Sequence, residues 1–313
     1  MSTKNTNARI LLEDLKISFK FAVKNIISFI LGMLGVLIVT GIMIAALAVI
    51  ILVPVFLSGG LMILIDGITG WIASASTISG ATAFLMILTL MVPILAPVLV
   101  AIGALFGMGR EIVESEGTTA EGVFAWYSKK FFPLAAVGIL QFLIYIAPIA
   151  ILFAFLGPVS FGVEQIALAP GVIALYAIYV AIMSGLLVLS FPAVIDGKST
   201  INALKTAVRL STTYFDRVFS VWLSFLGIAL LLFLPIIGPP LLMLPSAIPT
   251  TTASLGFLAG YASLAFLFML FILLPAVVIG MSRIYMILVS ENLSDYEVHP
   301  EEELDDVNIF GGD

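Results

Sequence analysis

Six stretches of this chain are apolar over the length of a bilayer crossing and hold no Asp, Glu, Lys, Arg or His: about 26–57, 82–109, 131–156, 168–195, 218–238 and 253–282. A helix needs about 20 such residues to cross the hydrocarbon layer. Hydrophobic residues make up 62% of the 313, charged residues 10%, and the mean hydropathy is +1.24. A soluble domain is nearer half apolar and a quarter charged. The chain therefore reads as an all-α integral membrane protein of six transmembrane helices, with lipid as the solvent for much of its surface.

The basic residues fix the orientation. Lys4, Arg9, Lys16, Lys20 and Lys24 precede the first run. Arg110, Lys129 and Lys130 lie between the second and third, Lys198, Lys205, Arg209 and Arg217 around the fourth and fifth, and Arg283 closes the sixth. The three intervening connections carry none. Cationic segments stay on the cytoplasmic side, so both termini are expected there, in the plasma membrane. The first run is too long for the core of a cleavable signal and reads as an uncleaved anchor.

The net charge of −6 is concentrated in a tail from Glu291 to Asp313, with nine acids. The chain divides into a six-span domain, 1–290, and an acidic, disordered cytoplasmic tail, 291–313. Tails of this kind are often interaction segments, so a protein partner is expected for it. No basic surface large enough to track phosphates is present, which argues against nucleic acid. There is no cysteine, and hence no disulfide, thiolate nucleophile or Cys-ligated metal.

Amphipathic segments precede the odd-numbered spans. In Ser199–Asp216, Ala203, Leu204, Ala207, Val208, Leu210 and Tyr214 share one face of a helix and Asn202, Lys205, Arg209, Thr212 and Asp216 the other. Ala120, Val123, Phe124, Tyr127 and Phe131 form a second stripe. Leu11, Leu15, Phe19 and Ala22 form a third, with Lys16, Lys20 and Lys24 on another side. One reading lays these helices in the inner interface, with Lys16, Lys20, Lys24, Lys129, Lys130, Lys205, Arg209 and Arg217 reaching the headgroups of an anionic leaflet. The plainer reading is of ordinary helical cytoplasmic loops. Either way a unit recurs three times: amphipathic helix, span, external loop, span. Lys130 to Pro148 and Arg217 to Pro235 have equal spacing, and Phe132 matches Phe219 in that register.

Between about Ser58 and Ala81 an interfacial hairpin or short helix is expected, with Trp71 at headgroup depth; a re-entrant loop is the alternative. Pro93, Pro97, Pro148, Pro192 and Pro275 are expected to kink their spans. Gly103 and Gly107 form G-x-x-x-G, a close-approach motif within one chain or in a homo-oligomer.

Residues that could carry chemistry are few. The candidate intramembrane polar contact is Gln141, more simply an interhelical hydrogen bond than a substrate contact. Tyr145, Tyr176, Tyr179, Ser184 and Thr40 are the other polar candidates at depth. His299 is the only histidine and has no second ligand beside it. Glu111 and Glu114, at i+3, read as a solvated helix end beside Arg110. No catalytic, cofactor or metal residue is assigned.

The stretch from Pro192 to Val218 resembles a pattern in the membrane-anchor domain of glycerophosphodiester phosphodiesterases and related six-span bacterial and archaeal proteins. Pro192, Asp196, Gly197, Ala203, Leu204 and Phe215 occupy the matching places. The resemblance implies a helical membrane domain. The soluble barrel of that enzyme family is absent, so no catalytic residue carries over, and Asp196-Gly197 reads as a turn capping the fourth span. The functional expectation is a non-enzymatic membrane scaffold, organiser or partner-binding subunit. The alternative is a transporter or channel component for an uncharged or lipid-like substrate. A membrane-embedded enzyme ranks third.

Overall fold

The computed structural model describes residues 8–74, 80–115, 117–160, 170–241 and 252–298, and His299 with the rest of the acidic tail lies outside them. Helices account for nearly all of it: α1 Ala8–Lys24, α2 Ile26–Ser74, α3 Gly80–Ser115, α4 Ala120–Lys129, α5 Phe131–Ser160, α6 Pro170–Leu187, α7 Ser190–Ile195, α8 Thr200–Thr213, α9 Phe215–Leu241, α10 Thr252–Phe268, a π-helical turn Met269–Leu273, and α11 Leu274–Val298. There is no strand among the described residues. Six segments are long and apolar enough to cross a membrane: Ile26–Ile50, Met91–Ser115, Phe131–Ile151, Ala174–Ile195, Phe215–Ile236 and Gly256–Glu291. The chain is a multi-pass, all-helical membrane protein.

One boundary differs from expectation. The segment after Ser58 is neither a hairpin nor a re-entrant loop but a continuation of α2, which runs 49 residues to Ser74. At 1.5 Å per residue that is about 73 Å, more than twice the hydrocarbon thickness. Helix α11 continues past Glu291 through Val298.

Proline accounts for two interruptions. Pro192 has no N–H to donate to Val188 one turn back, and the helix is interrupted at Val188–Leu189 between α6 and α7. The π turn immediately precedes Pro275, where Leu274 N–H reaches back to Met269 O. Pro93 and Pro97 are held inside α3 without a break.

Each amphipathic helix passes into an apolar one through a single residue: α1 into α2 at Asn25, α4 into α5 at Lys130, α8 into α9 at Tyr214. The i→i−4 bonds persist across each break, as in Phe29 N–H to Asn25 O, Leu134 N–H to Lys130 O and Val218 N–H to Tyr214 O. Backbone angles at two breaks nearly coincide: φ −117°, ψ 20° at Lys130 and φ −113°, ψ 43° at Tyr214. A buried seam runs through all of them. Ser18, Ala22, Phe29, Gly32 and Val36 are buried about the first; Val123, Tyr127, Leu134, Val137 and Gln141 about the second; Ala207, Ser211, Val218, Val221 and Phe225 about the third.

The apolar stripes of α4 and α8 thus face protein. Helix α4 packs on α2 and α3, α8 on α5, α6 and α7, and α1 on α9 and α11. Of the expected Leu11–Leu15–Phe19–Ala22 stripe of α1 only Ala22 is fully buried, with Asp14 and Ser18; Leu11, Leu15 and Phe19 flank them, half-buried. Small residues let these contacts close. Gly107 lies under the Trp126 ring, and Gly103 faces Leu134 and Phe191, so the G-x-x-x-G motif serves contacts within the chain.

The core lies at the basic end, where Ala104–Met108, Leu189–Ile195 and Ala276–Leu288 contribute nearly half of its buried side chains. Toward the other end the helices expose apolar groups: Leu175 is 69% exposed, Leu231 70% and Leu264 69%. Apolar surface on this scale needs hydrocarbon rather than water against it.

Candidate functional site

The polar side chains of the described residues concentrate at the basic end, in two charged groups and a third contact beside them. The first joins the C-terminal part of α3, the end of α7 and the middle of α11. Arg110 donates from Nε to Glu114 Oε1 (2.7 Å) and from Nη1 to Asp196 Oδ1 (3.0 Å). The Tyr285 hydroxyl donates to the other oxygen, Asp196 Oδ2, at 3.0 Å. Asp196 stands where it does because its own amide closes the last turn of α7 onto Pro192 O and because Gly197, at φ 98°, turns the chain away. It is therefore more than a turn residue, since it receives a donor from each of two other span ends. The space enclosed there by Arg110, Pro192, Ile195, Ser282, Tyr285 and Met286 is about 10 Å³. That is at the lower limit for one water, about 10–15 Å³.

The second group is built on Asp14, which sequence reasoning passed over. Its carboxylate lies between Arg283, whose Nη1 donates to Oδ1, and Arg217, whose Nη2 is 3.4 Å from Oδ2. Side-chain exposure is 4% for Asp14, 6% for Arg217 and 22% for Arg283. Ser18 closes the turn by donating to Asp14 O at 2.7 Å. Arg217 Nε and Nη1 are buried with no protein partner. Removing one member of such a group leaves a buried charge uncompensated, at a cost of about 3–5 kcal/mol.

In the third contact Glu111 accepts from Trp126 Nε1 (2.8 Å) and from the Thr118 hydroxyl (2.6 Å), tying α4 to α3. Expected as a solvated helix end, Glu111 instead fixes the amphipathic helix. Arg110 and Glu114 do form the i,i+4 pair that a helix end allows.

Lys16, Lys20, Lys24, Lys129, Lys205 and Arg209 are exposed and Lys130 half-exposed. Arg217, read alongside them as a headgroup contact, departs from that set: it is buried and its guanidinium turns to Asp14, so it has no surface to offer a lipid. Its local sequence carries no sign of this, because Asp14 lies 203 residues away.

At membrane depth the polar groups face the backbone of neighbouring spans. Gln141 Nε2 donates to Leu187 O (3.1 Å) and to the Ser190 hydroxyl, bridging α5 to the α6–α7 break. Tyr176 donates to Tyr145 O (3.2 Å) and Tyr179 to Ile144 O (2.8 Å). Ser184 bonds within its own helix, to Ala181 O at 3.1 Å, and Thr40 Oγ1 is buried without a partner. Among the described residues no three His, Cys, Asp or Glu side chains converge as a metal site would require.

The arrangement can join helix ends; both charged groups tie carboxylate to guanidinium across elements far apart in sequence. No family model, curated protein or solved structure matches the chain.

Proposed function

We propose that this chain is a non-enzymatic membrane scaffold, built from three copies of one unit, that presents a folded cap on the cytoplasmic side. Each copy is an amphipathic helix, a one-residue break, a span and a returning span: α1–α3, α4–α7 and α8–α11. The matched burial about Asn25, Lys130 and Tyr214 supports this. So does the packing order, in which the amphipathic helix of each copy seats on the span pair of the copy before it, and α1 seats on the last.

The bilayer begins at the breaks. Lys24, Lys129 and Lys130 stand there. On the span side of the breaks the first exposed residues are Ile27, Phe132 and Phe215, with Asp216 beside the last. On the other side they include Lys16, Lys20, Glu121, Asn202, Lys205 and Arg209. The amphipathic helices and the span ends in α3, α7 and α11 then form a compact cap rather than a set of helices lying flat in the leaflet. Its basic surface meets anionic lipid, and the acidic tail leaves from the same side to meet a protein partner.

The observation that carries the scaffold reading is the Arg110–Asp196–Tyr285 junction. The groups best suited to chemistry are engaged in joining three span ends around about 10 Å³. The resemblance to the phosphodiesterase membrane-anchor domain agrees with such a role, and Asp196-Gly197 sits at the junction's turn. Because the chain has no cysteine, introduced ones report cleanly. Single cysteines at Ser128 and Asn202 are expected to react with an impermeant maleimide only from the cytoplasmic face, and labelling of Ser128Cys from outside would sink the placement. Truncation after Ser290 is expected to lose a copurifying partner; an unchanged set removes the tail from the reading.

A second reading, a carrier for an uncharged or lipid-like molecule, is favoured by the unpartnered Thr40 hydroxyl at depth and the exposed apolar outer halves of the spans. Transbilayer movement of a fluorescent lipid in proteoliposomes, abolished by Thr40→Val, would support it over the scaffold.

A further inference from the structure

A depression of about 500 Å³ lies on the outer side of α8, lined by Lys198, Ser199, Asn202, Lys205, Thr206 and Arg209, with Gly197 at its edge. We propose that it binds a phosphate group. Its side chains are hydrogen-bond donors and three are cationic, while no carboxylate lines it. None of Lys198, Lys205 and Arg209 is tied up in an ion pair among the described residues. Asp196, the nearest acid in sequence, turns both oxygens to Arg110 and Tyr285 and so leaves the positive charge uncancelled.

The local backbone adds to this. Ser199 is the N-cap of α8, yet its side chain makes no capping bond, so first-turn amides lack the acceptor a cap would supply. The positive φ of Gly197 swings Lys198 and Ser199 round to that end of the helix. Along α8, Asn202, Thr206 and Arg209 recur at i, i+4 and i+7, with Lys205 beside them, so donors follow one face away from the N-terminus. The Arg209 guanidinium offers the planar fork that takes a phosphate through two parallel bonds, and the lysines act as point charges. The volume exceeds a bare ion and leaves room for the group that carries the phosphate. That group is either a lipid headgroup or a soluble phosphorylated molecule. The lipid source rests on the cytoplasmic cap reading above; the soluble source does not.

The full chain in phosphatidylcholine nanodiscs separates the two. One arm titrates inorganic pyrophosphate by calorimetry. The other adds phosphatidic acid to the discs and counts lipids retained by native mass spectrometry. Saturable binding is expected in at least one arm. Lys198→Gln with Lys205→Gln and Arg209→Gln should weaken it by about tenfold or more, the loss of several charge-assisted bonds. Lys16→Gln with Lys20→Gln and Lys129→Gln removes the same charge elsewhere and should leave pyrophosphate binding within about twofold of the unmodified protein. Unchanged melting temperatures in both variants exclude misfolding. Binding confined to pyrophosphate keeps the site and counts against a lipid source. No saturable binding in either arm, equal loss in both variants, or full binding by the cleft variant overturns the proposal.

Discussion

Asp14 has the most to teach at the scale of the residue. Hydrophobic patterning puts carboxylates outside, and on that rule α1 should bury Leu11, Leu15 and Phe19. It fully buries Asp14 and Ser18 beside Ala22 and leaves Leu11, Leu15 and Phe19 half-buried, because two guanidiniums from α9 and α11 make that face the charged and close-packing one. Gly280 opposes Ser18 there, and Phe19 meets Phe225 with ring centroids 5.9 Å apart. Asp14→Ala should therefore destabilise by about 3–5 kcal/mol, read as a lower melting temperature in detergent. The double variant Asp14→Ala with Arg217→Met should recover part of that loss, since the orphaned charge goes with its partner. Equal melting points for Asp14→Ala and the unmodified protein would dissolve the group as a stabilising feature. Gly107→Leu makes a second test: a side chain there must displace the Trp126 ring. Overpacking of this sort costs about 1–3 kcal/mol, and Trp126 fluorescence should shift as its bond to Glu111 is lost.

Among the elements, the six spans were legible because a run without charge over about 20 residues has few other uses. The amphipathic helices were legible as helices, but not what their apolar faces touch; periodicity reports a face, not the surface opposite it. For the proposed recurring unit, residue spacing and burial give registers three residues apart. Equal Lys-to-Pro and Arg-to-Pro spacing pairs Lys130 with Arg217, whereas matched burial pairs Lys130 with Tyr214. Three residues are nearly one turn of about 3.6, so a slip of that size leaves most apolar positions matched and the sequence cannot resist it. Asn25 and Tyr214 carry no breaker to mark their positions. Lys130 does, because Pro133 has no N–H to offer Lys129 O. The candidate site was legible only in its surface half, where Lys205, Arg209 and their neighbours are exposed as charge predicts. Its buried half joins partners 86 to 269 residues apart, a distance no local pattern spans.

At the scale of the whole molecule, the packing order closes on itself. Helix α4 seats on α2 and α3, α8 on α5, α6 and α7, and α1 on α9 and α11. Deleting residues 1–24 should therefore loosen the far end of the chain rather than its neighbour. Hydrogen exchange is expected to rise across 215–225 and 276–287 while 103–112 and 123–134 keep their protection. Uniform loss, or loss confined to α2, would count against the closed order.

That closure has a temporal side. Helix α1 is seated by a span made much later, and Asp14 waits for Arg283, 269 residues on. At about 5–20 residues per second of synthesis the delay is on the order of tens of seconds. Through that interval the buried face of α1 has nowhere to go, and the nascent chain is an open arc whose clasp is fastened only once Arg283 has been made and released. Truncated chains ending before Arg283 should accordingly leave α1 open to protease, while released chains extending past Leu288 protect it.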